Sequence, residues 1–236
     1  MRKTKEYLPA LKAAFPHTIP IMAGFLFLGI TYGIFMRVSG FGFIYPMLTS
    51  IVIFAGSMEF VTVNLLLGAF NPLQALLMTL MVNARHIFYG LSMLEKYRIP
   101  GLKRLYLIFG MCDESFSINC SAEPPEGVDK NLFMFFVTLL DQAYWVAGCT
   151  LGGIFGSLLS FNTEGLDFAM TAMFVVIFLE NWLKEKKHTS SLLGIGLTIF
   201  CLILFGPTKF IIPAMLAILA ALTLLRRPIE KGGDAA

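Results

Sequence analysis

The chain has 236 residues, 57% of them hydrophobic and 14% charged, with a mean hydropathy of +0.76. A soluble domain is about one quarter charged, so these figures exclude a soluble globule. The formal net charge of +3 gives no reason to expect nucleic-acid binding. Apolar runs near 20 residues recur, and the short alternating segments of a membrane barrel are missing, so the fold class is all-α. We expect a polytopic integral-membrane helical bundle of about seven or eight hydrophobic segments, with at least one broken or re-entrant helix, in a single transmembrane domain over 1–236.

Residues 1–17 are polar and basic, with Arg2, Lys3, Lys5 and Lys12, and Glu6 to Phe15 fits a short amphipathic helix on the membrane surface. The first apolar run is span-length and no small-residue cleavage site follows it, so it reads as a retained helix rather than a signal peptide. Pro16 and Pro20 bracket the start of that span, about Thr18–Met36, in which Gly29 and Gly33 are spaced for close helix contact. The next run, Phe43 to Phe70, is too long for a simple span, and Ala55-Gly56-Ser57-Met58-Glu59 in its middle predicts a helix broken at membrane depth. Asn71-Pro72 marks a turn. Leu73–Leu94 reads as one span that holds Asn83, Arg85, His86 and Tyr89. Leu105–Ser121 is a poor span and reads as a half-helix or re-entrant segment, with Asp113 and Glu114 in its second half. Glu123-Pro124-Pro125-Glu126-Gly127 is a loop. Leu132–Leu159 is a span carrying Asp141 and a glycine face at Gly148, Gly152 and Gly156. Phe168–Leu183 ends in Glu180-Asn181-Trp182, and spans near Ser191–Phe205 and Phe210–Leu225 follow.

Basic loops at 96–104, 184–188 and 226–231 all belong in the cytoplasm. The first can lie there only if Leu105–Ser121 fails to cross. With the N-terminus inside as well, 43–70 must be re-entrant. Gly29-Ile30-Thr31-Tyr32-Gly33 resembles Gly148-Cys149-Thr150-Leu151-Gly152 at an offset of 119, which suggests a two-fold internal repeat with halves 18–121 and 131–225. The sequence leaves open whether the halves are inverted or parallel.

The polar residues at membrane depth are the candidates for function, because a lipid-facing arginine costs roughly 2.5–3.5 kcal/mol on insertion scales. Ser57, Glu59, Asn83, Arg85, His86, Tyr89, Asp113 and Glu114 form the first set, and Asp141, Glu180 and Asn181 a second. For the second set, helix–helix hydrogen bonds or snorkelling to the interface are competing readings. A central polar chamber built from the first set suits a zwitterion. Its carboxylate would meet Arg85 or the free N–H groups of the broken helix, and its amino group Glu59, Asp113 or Glu114. A carboxylate or His86 could carry a coupling proton. Phe54, Met58 and Phe88 are candidates to line an apolar pocket. Ser57 paired with His86 is the weaker, hydrolytic alternative, since no recognised triad pattern surrounds them. Cys112, Cys120, Cys149 and Cys201 have no ligand spacing, no nucleotide-binding loop occurs, and we expect neither metal nor cofactor.

Ala55-Gly56-Ser57-Met58-Glu59-Phe60, Asn83-Ala84-Arg85-His86-Ile87-Phe88-Tyr89-Gly90 and Asp113-Glu114-Ser115-Phe116 occur in that order. Together they resemble the AzlC-type family, the large subunit of bacterial branched-chain amino acid exporters, over roughly residues 15–225. The resemblance implies a multi-pass permease of the cytoplasmic membrane, not an enzyme, that exports amino acids such as leucine, isoleucine and valine. It also implies a small hydrophobic partner of the AzlD type. Many members carry glutamine where this chain has Glu59. The rival class is a non-transporting membrane assembly subunit or an intramembrane enzyme.

Overall fold

The computed structural model describes residues 4–69, 71–83, 85–156, 188–206 and 210–225, with a few positions between 175 and 183. In chain order the helices are α1 (Thr4–Val38), α2 (Ile44–Val52), α3 (Gly56–Leu67), α4 (Pro72–Val82), α5 (Arg85–Met93), α6 (Leu102–Phe109), α7 (Asp113–Ser121), α8 (Lys130–Phe155), α9 (Thr189–Phe205) and α10 (Ile211–Leu224). There is no strand among the described residues. The chain divides into two units, Met1–Ala169 and Met170–Ala236. In the second, α9 and α10 pack against each other.

Among the described residues of the first unit, only α1 and α8 are long and apolar enough to cross a membrane as single helices. They lie against each other with backbones touching. A side chain on Gly33 would overlap the backbone of Cys149, Gly152 and Gly153, and one on Gly152 would overlap that of Ile30. Gly29 meets Gly148, Gly33 meets Gly152, and Gly156 meets Ile34 and Arg37. Residue numbers rise together on both helices, so α1 and α8 run in the same direction. The two similar glycine segments are thus apposed at one crossing.

α1 corrects the expected surface helix. It runs unbroken through Pro9, Pro16 and Pro20. Proline removes one N–H, a loss tolerated in membrane helices where a neighbouring hydroxyl can compensate.

The remaining helices of this unit are half-length. At about 1.5 Å per residue, α2 rises ~13 Å, less than half of a ~30 Å hydrocarbon core. It starts beside Gly153 near the end of α8, through Phe43 and Pro46. It descends until the Ile51 carbonyl meets Gln142. The chain reverses at Ile53–Ala55, and α3 climbs back. Gly56 lies on Trp145, and Phe60 packs on Tyr32 and Phe35. α2 and α3 therefore form a helical hairpin, the shape expected of a re-entrant segment. Its tip is strained: Phe54, buried, holds φ at 45°.

α4 and α5 together approximate one core thickness, the length that Leu73–Leu94 needs to cross. It is not one helix, however. Asn83 ends α4 and α5 begins at Arg85. α5 then reaches the opposite side, where Met93 joins a core with Ala14, Tyr97, Ile99, Leu107 and Phe133.

α6 starts on that side and α7 returns to it. Lys96, in the loop before α6, donates to the Asn119 and Cys120 carbonyls at the end of α7, the favourable place for a cation on a helix dipole. Tyr97 accepts from Asn119 Nδ2 at 3.1 Å. α6 and α7 therefore form a second hairpin, open toward the side opposite the first. After it, Glu123 pairs with Lys130 at 2.6 Å, which holds the Glu123 carboxyl below the usual carboxylate range.

These paths bring the N-terminus and both flanks of the second hairpin to one side, with Lys96, Arg98, Lys103, Arg104 and Lys130. The other side carries Arg37. The excess of basic residues lies on the first side, the bias expected of a cytoplasmic face. Among the described residues of this unit, two helices are of span length, α4 and α5 form an interrupted pair, and α2–α3 and α6–α7 form two hairpins. The segment 168–183, apart from a few positions, lies outside the described residues.

Candidate functional site

The two hairpins meet at their tips. Gly110, at the turn between α6 and α7, faces the Phe54 ring and the Thr138 methyl of α8. Ser115 holds that turn together, accepting from the Cys112 N–H at 2.9 Å and donating to the Gly110 carbonyl at 3.0 Å. Beside the tips lies the break in α4–α5. Three half-helices therefore begin at one depth: α3 at Gly56, α5 at Arg85 and α7 at Asp113. A helix start presents unpaired N–H groups and the positive end of its dipole.

Side chains link these starts. Arg85 Nη2 forms an ion pair with Asp113 Oδ2 at 2.7 Å and lies 3.5 Å from Ser57 Oγ. Tyr89, one turn further along α5, donates its hydroxyl to Asp113 Oδ1 at 2.7 Å and stacks on Phe116 at 4.3 Å. The ion pair is partly open, with side-chain exposures of 31% for Arg85 and 25% for Asp113. Arg85 Nε is buried and has no partner among the described residues, so the guanidinium keeps a donor in reserve. His86 packs edge-on against Tyr89, and its Nδ1 lies 3.2 Å from the Asn83 carbonyl oxygen, which suits the Nδ1–H tautomer. Glu114 follows Asp113 in the first turn of α7 and is half-buried.

Ser57, Arg85, Tyr89 and Asp113 are thus in one cluster, with Asn83, His86 and Glu114 at its edge. Glu59 is not part of it. Two residues on from Ser57, it faces the other side of α3. Its Oε1 accepts from Trp145 Nε1 at 2.9 Å and from the Ala55 N–H at 3.2 Å, and it is fully buried. Asp141 is also buried away from the cluster, on α8. Glu180 and Asn181 lie outside the described residues. No hydrogen bond joins Ser57 to His86 among the described residues; the hydroxyl faces Arg85 instead. Phe54 and Met58 are buried, whereas Phe88 is 51% exposed and turned outward, about 100° around α5 from its neighbour Tyr89.

Two residues outside the set expected from sequence fix the arrangement. Trp145 ties α8 to the first hairpin through Glu59. Gln142 ties α8 to both hairpins, donating to the Ile51 carbonyl at 3.1 Å and accepting from the Tyr106 hydroxyl at 2.6 Å. A polar pair at Asp141-Gln142 inside an apolar span is the signal in the sequence that marks them.

Comparison with known proteins adds a family context. The profile of the AzlC protein family matches residues 20–159. The chain is 67% identical to the branched-chain amino acid transport protein AzlC of Bacillus subtilis, covering 98% of this chain and 91% of that protein. It is 52% identical to an uncharacterized membrane protein of Haemophilus influenzae, over 94% of this chain and 91% of that one. It is 36% identical to an uncharacterized membrane protein of Helicobacter pylori strain J99, over 95% and 99%. No solved structure matches the chain.

Proposed function

The chain belongs to the AzlC family, and from that membership we propose that it is a secondary transporter that exports branched-chain or other hydrophobic amino acids. The observation that carries the reading is the meeting of three half-helix starts around the Arg85–Asp113 pair. An amino acid zwitterion needs a positive and a negative partner a few ångströms apart. Arg85, with its spare Nε–H and the N–H groups of α3, α5 and α7, offers the first. Asp113, held by Tyr89, offers the second. Substrate competes with the internal ion pair for both, so binding exchanges one set of charge-assisted bonds for another. That balance suits a carrier that must also let go.

Breaks at membrane depth give the chain places to bend without losing whole helices, and the two hairpins enter from opposite sides. Movement of one tip opens the cluster to the cytoplasm and movement of the other opens it outward, which is alternating access. The family resemblance extends the proposal to a small membrane partner of the AzlD type, tested by co-purification with a tagged form of this chain.

The direct test is leucine efflux from cells loaded with a leucine-containing dipeptide, with and without the chain and its partner. Expression is expected to raise efflux and resistance to the dipeptide. Unchanged efflux with both proteins present in the membrane would remove the exporter reading.

A further inference from the structure

A second polar position lies outside the Arg85 cluster. Thr138, Asp141 and Trp145 share one face of α8. Thr138 sets its methyl against Gly110 in the tip of the second hairpin, and Trp145 sets its ring against Gly56 beside the tip of the first. Asp141 comes between them. It is fully buried, and neither carboxylate oxygen has a hydrogen-bond partner among the described residues. The ionisable groups in electrostatic reach are Glu114 on α7, Cys112 in the tip and Tyr106 on α6. None is a cation. Arg85 acts on Glu114, but its guanidinium is engaged by Asp113.

The helix ends nearby carry the matching sign. α2 and α6 both stop at the tips, so their last carbonyls, the negative ends of two half-helix dipoles, lie at this depth. Gln142, next to Asp141, fixes both to α8. The starts of α3, α5 and α7 therefore favour an anion around Arg85, while the ends of α2 and α6 favour a cation around Asp141. A carboxylate with neither donor nor counter-charge is expensive in a low-dielectric interior. A bound cation removes that expense.

We propose that the Asp141 carboxyl, between the two helix breaks, binds and releases the monovalent cation, a proton or a sodium ion, whose movement is coupled to transport. A proton adds to one Oδ to give the neutral acid, or a sodium ion is held by the Oδ atoms and nearby carbonyls; dissociation restores the carboxylate. Occupation cancels the charge that faces Glu114 and lets the tips close on α8. Release restores the repulsion between the two carboxylates and drives the tips apart.

The inference rests on the transport reading, and the test separates the two. The purified full-length chain, with its small partner, is reconstituted in liposomes. Leucine exchange without any ion gradient is compared with leucine accumulation driven by an imposed pH or sodium gradient. On the same protein, infrared difference spectra follow the protonated-carboxyl stretch with pH, and thermal unfolding is compared in sodium and choline chloride. Asp141→Asn is expected to lower gradient-driven accumulation about tenfold more than it lowers exchange. It also loses one titrating carboxyl band if the cation is a proton, or the sodium-dependent stabilisation if it is sodium. Gradient-driven accumulation within about twofold of the unaltered protein overturns the proposal, as does a variant whose band and sodium response are both unchanged. If the unaltered protein exchanges no leucine but its cation response still depends on Asp141, the amino acid reading fails and the cation site stands. If the asparagine variant does not fold, Asp141→Ser is judged by the same criteria.

Discussion

Arg85 and Glu59 are both ionisable groups at membrane depth, and they do different work. Arg85 faces a partly open pair with Asp113. Truncating one member of such a pair leaves the other unpaired, at about 2–5 kcal/mol when buried and less when partly open. Arg85→Ala is therefore expected to cut leucine efflux by about tenfold or more while membrane abundance, read by immunoblot, is unchanged. Normal efflux would take Arg85 out of the site. Glu59 uses one oxygen to accept two N–H groups. Glu59→Gln keeps that oxygen and is expected to leave the unfolding temperature in detergent nearly unchanged. Glu59→Ala orphans two buried donors at about 1–3 kcal/mol each and lowers it markedly. Equal unfolding temperatures for the two variants would show that the latch carries no stability. The identity of these residues as polar anomalies was legible from hydropathy alone. Their separation into two faces of α3 was not, because it depends on where α8 packs.

At the scale of elements, the breaks were legible where glycine or excess length marked them. The run 43–70 was too long and carried Gly56-Ser57, so its break was expected. The break at Asn83 has no glycine, no proline and no excess length, so Leu73–Leu94 read as one helix. Only the packing of Arg85 against α7 reveals why the helix stops there. Conversely, Pro16 and Pro20 read as bracketing the start of a separate span, whereas α1 runs unbroken through both. The tip at Phe54 sets two effects against each other. A left-handed backbone costs roughly 1–2 kcal/mol for a residue with a side chain, and glycine would relieve it. The ring, however, is buried against the second hairpin, and losing a buried phenylalanine costs about 3–5 kcal/mol. Packing therefore outweighs strain, and Phe54→Gly is expected to destabilise the protein by about 2 kcal/mol or more, read as a lower unfolding temperature. An increase would mean that relief of the backbone dominates.

The whole molecule turns on the two hairpins. Charge bias alone asked that 105–121 return to its own side and, with the N-terminus inside, that 43–70 do likewise; α2–α3 and α6–α7 have the hairpin shape that this needs. What charge could not supply was the meeting of the tips, which needs each hairpin to stop at half depth on the same face of α8. The topology has a simple check. Single cysteines at Arg98 and Gly127, in a background without the four native cysteines, are expected to react with an impermeant thiol reagent only from the cytoplasmic side. One at Gly40 is expected to react only from outside. Labelling of Arg98 and Gly127 positions from opposite sides would mean that 102–121 crosses the membrane and that the second tip does not exist.

The apposed glycines of α1 and α8 also set a timetable. The two segments are 119 residues apart in the chain. At roughly 5–20 residues per second of synthesis, α1 waits about 6–24 s in the bilayer before α8 has been made. During that interval lipid fills the groove on α1, and neither hairpin tip has Thr138, Gln142 or Trp145 to rest on. A nascent chain stopped after α7 therefore holds the residues of the Arg85 cluster without the cluster itself. Assembly of the transporter is governed by the arrival of its eighth helix, and the glycine groove is kept open for that one late guest.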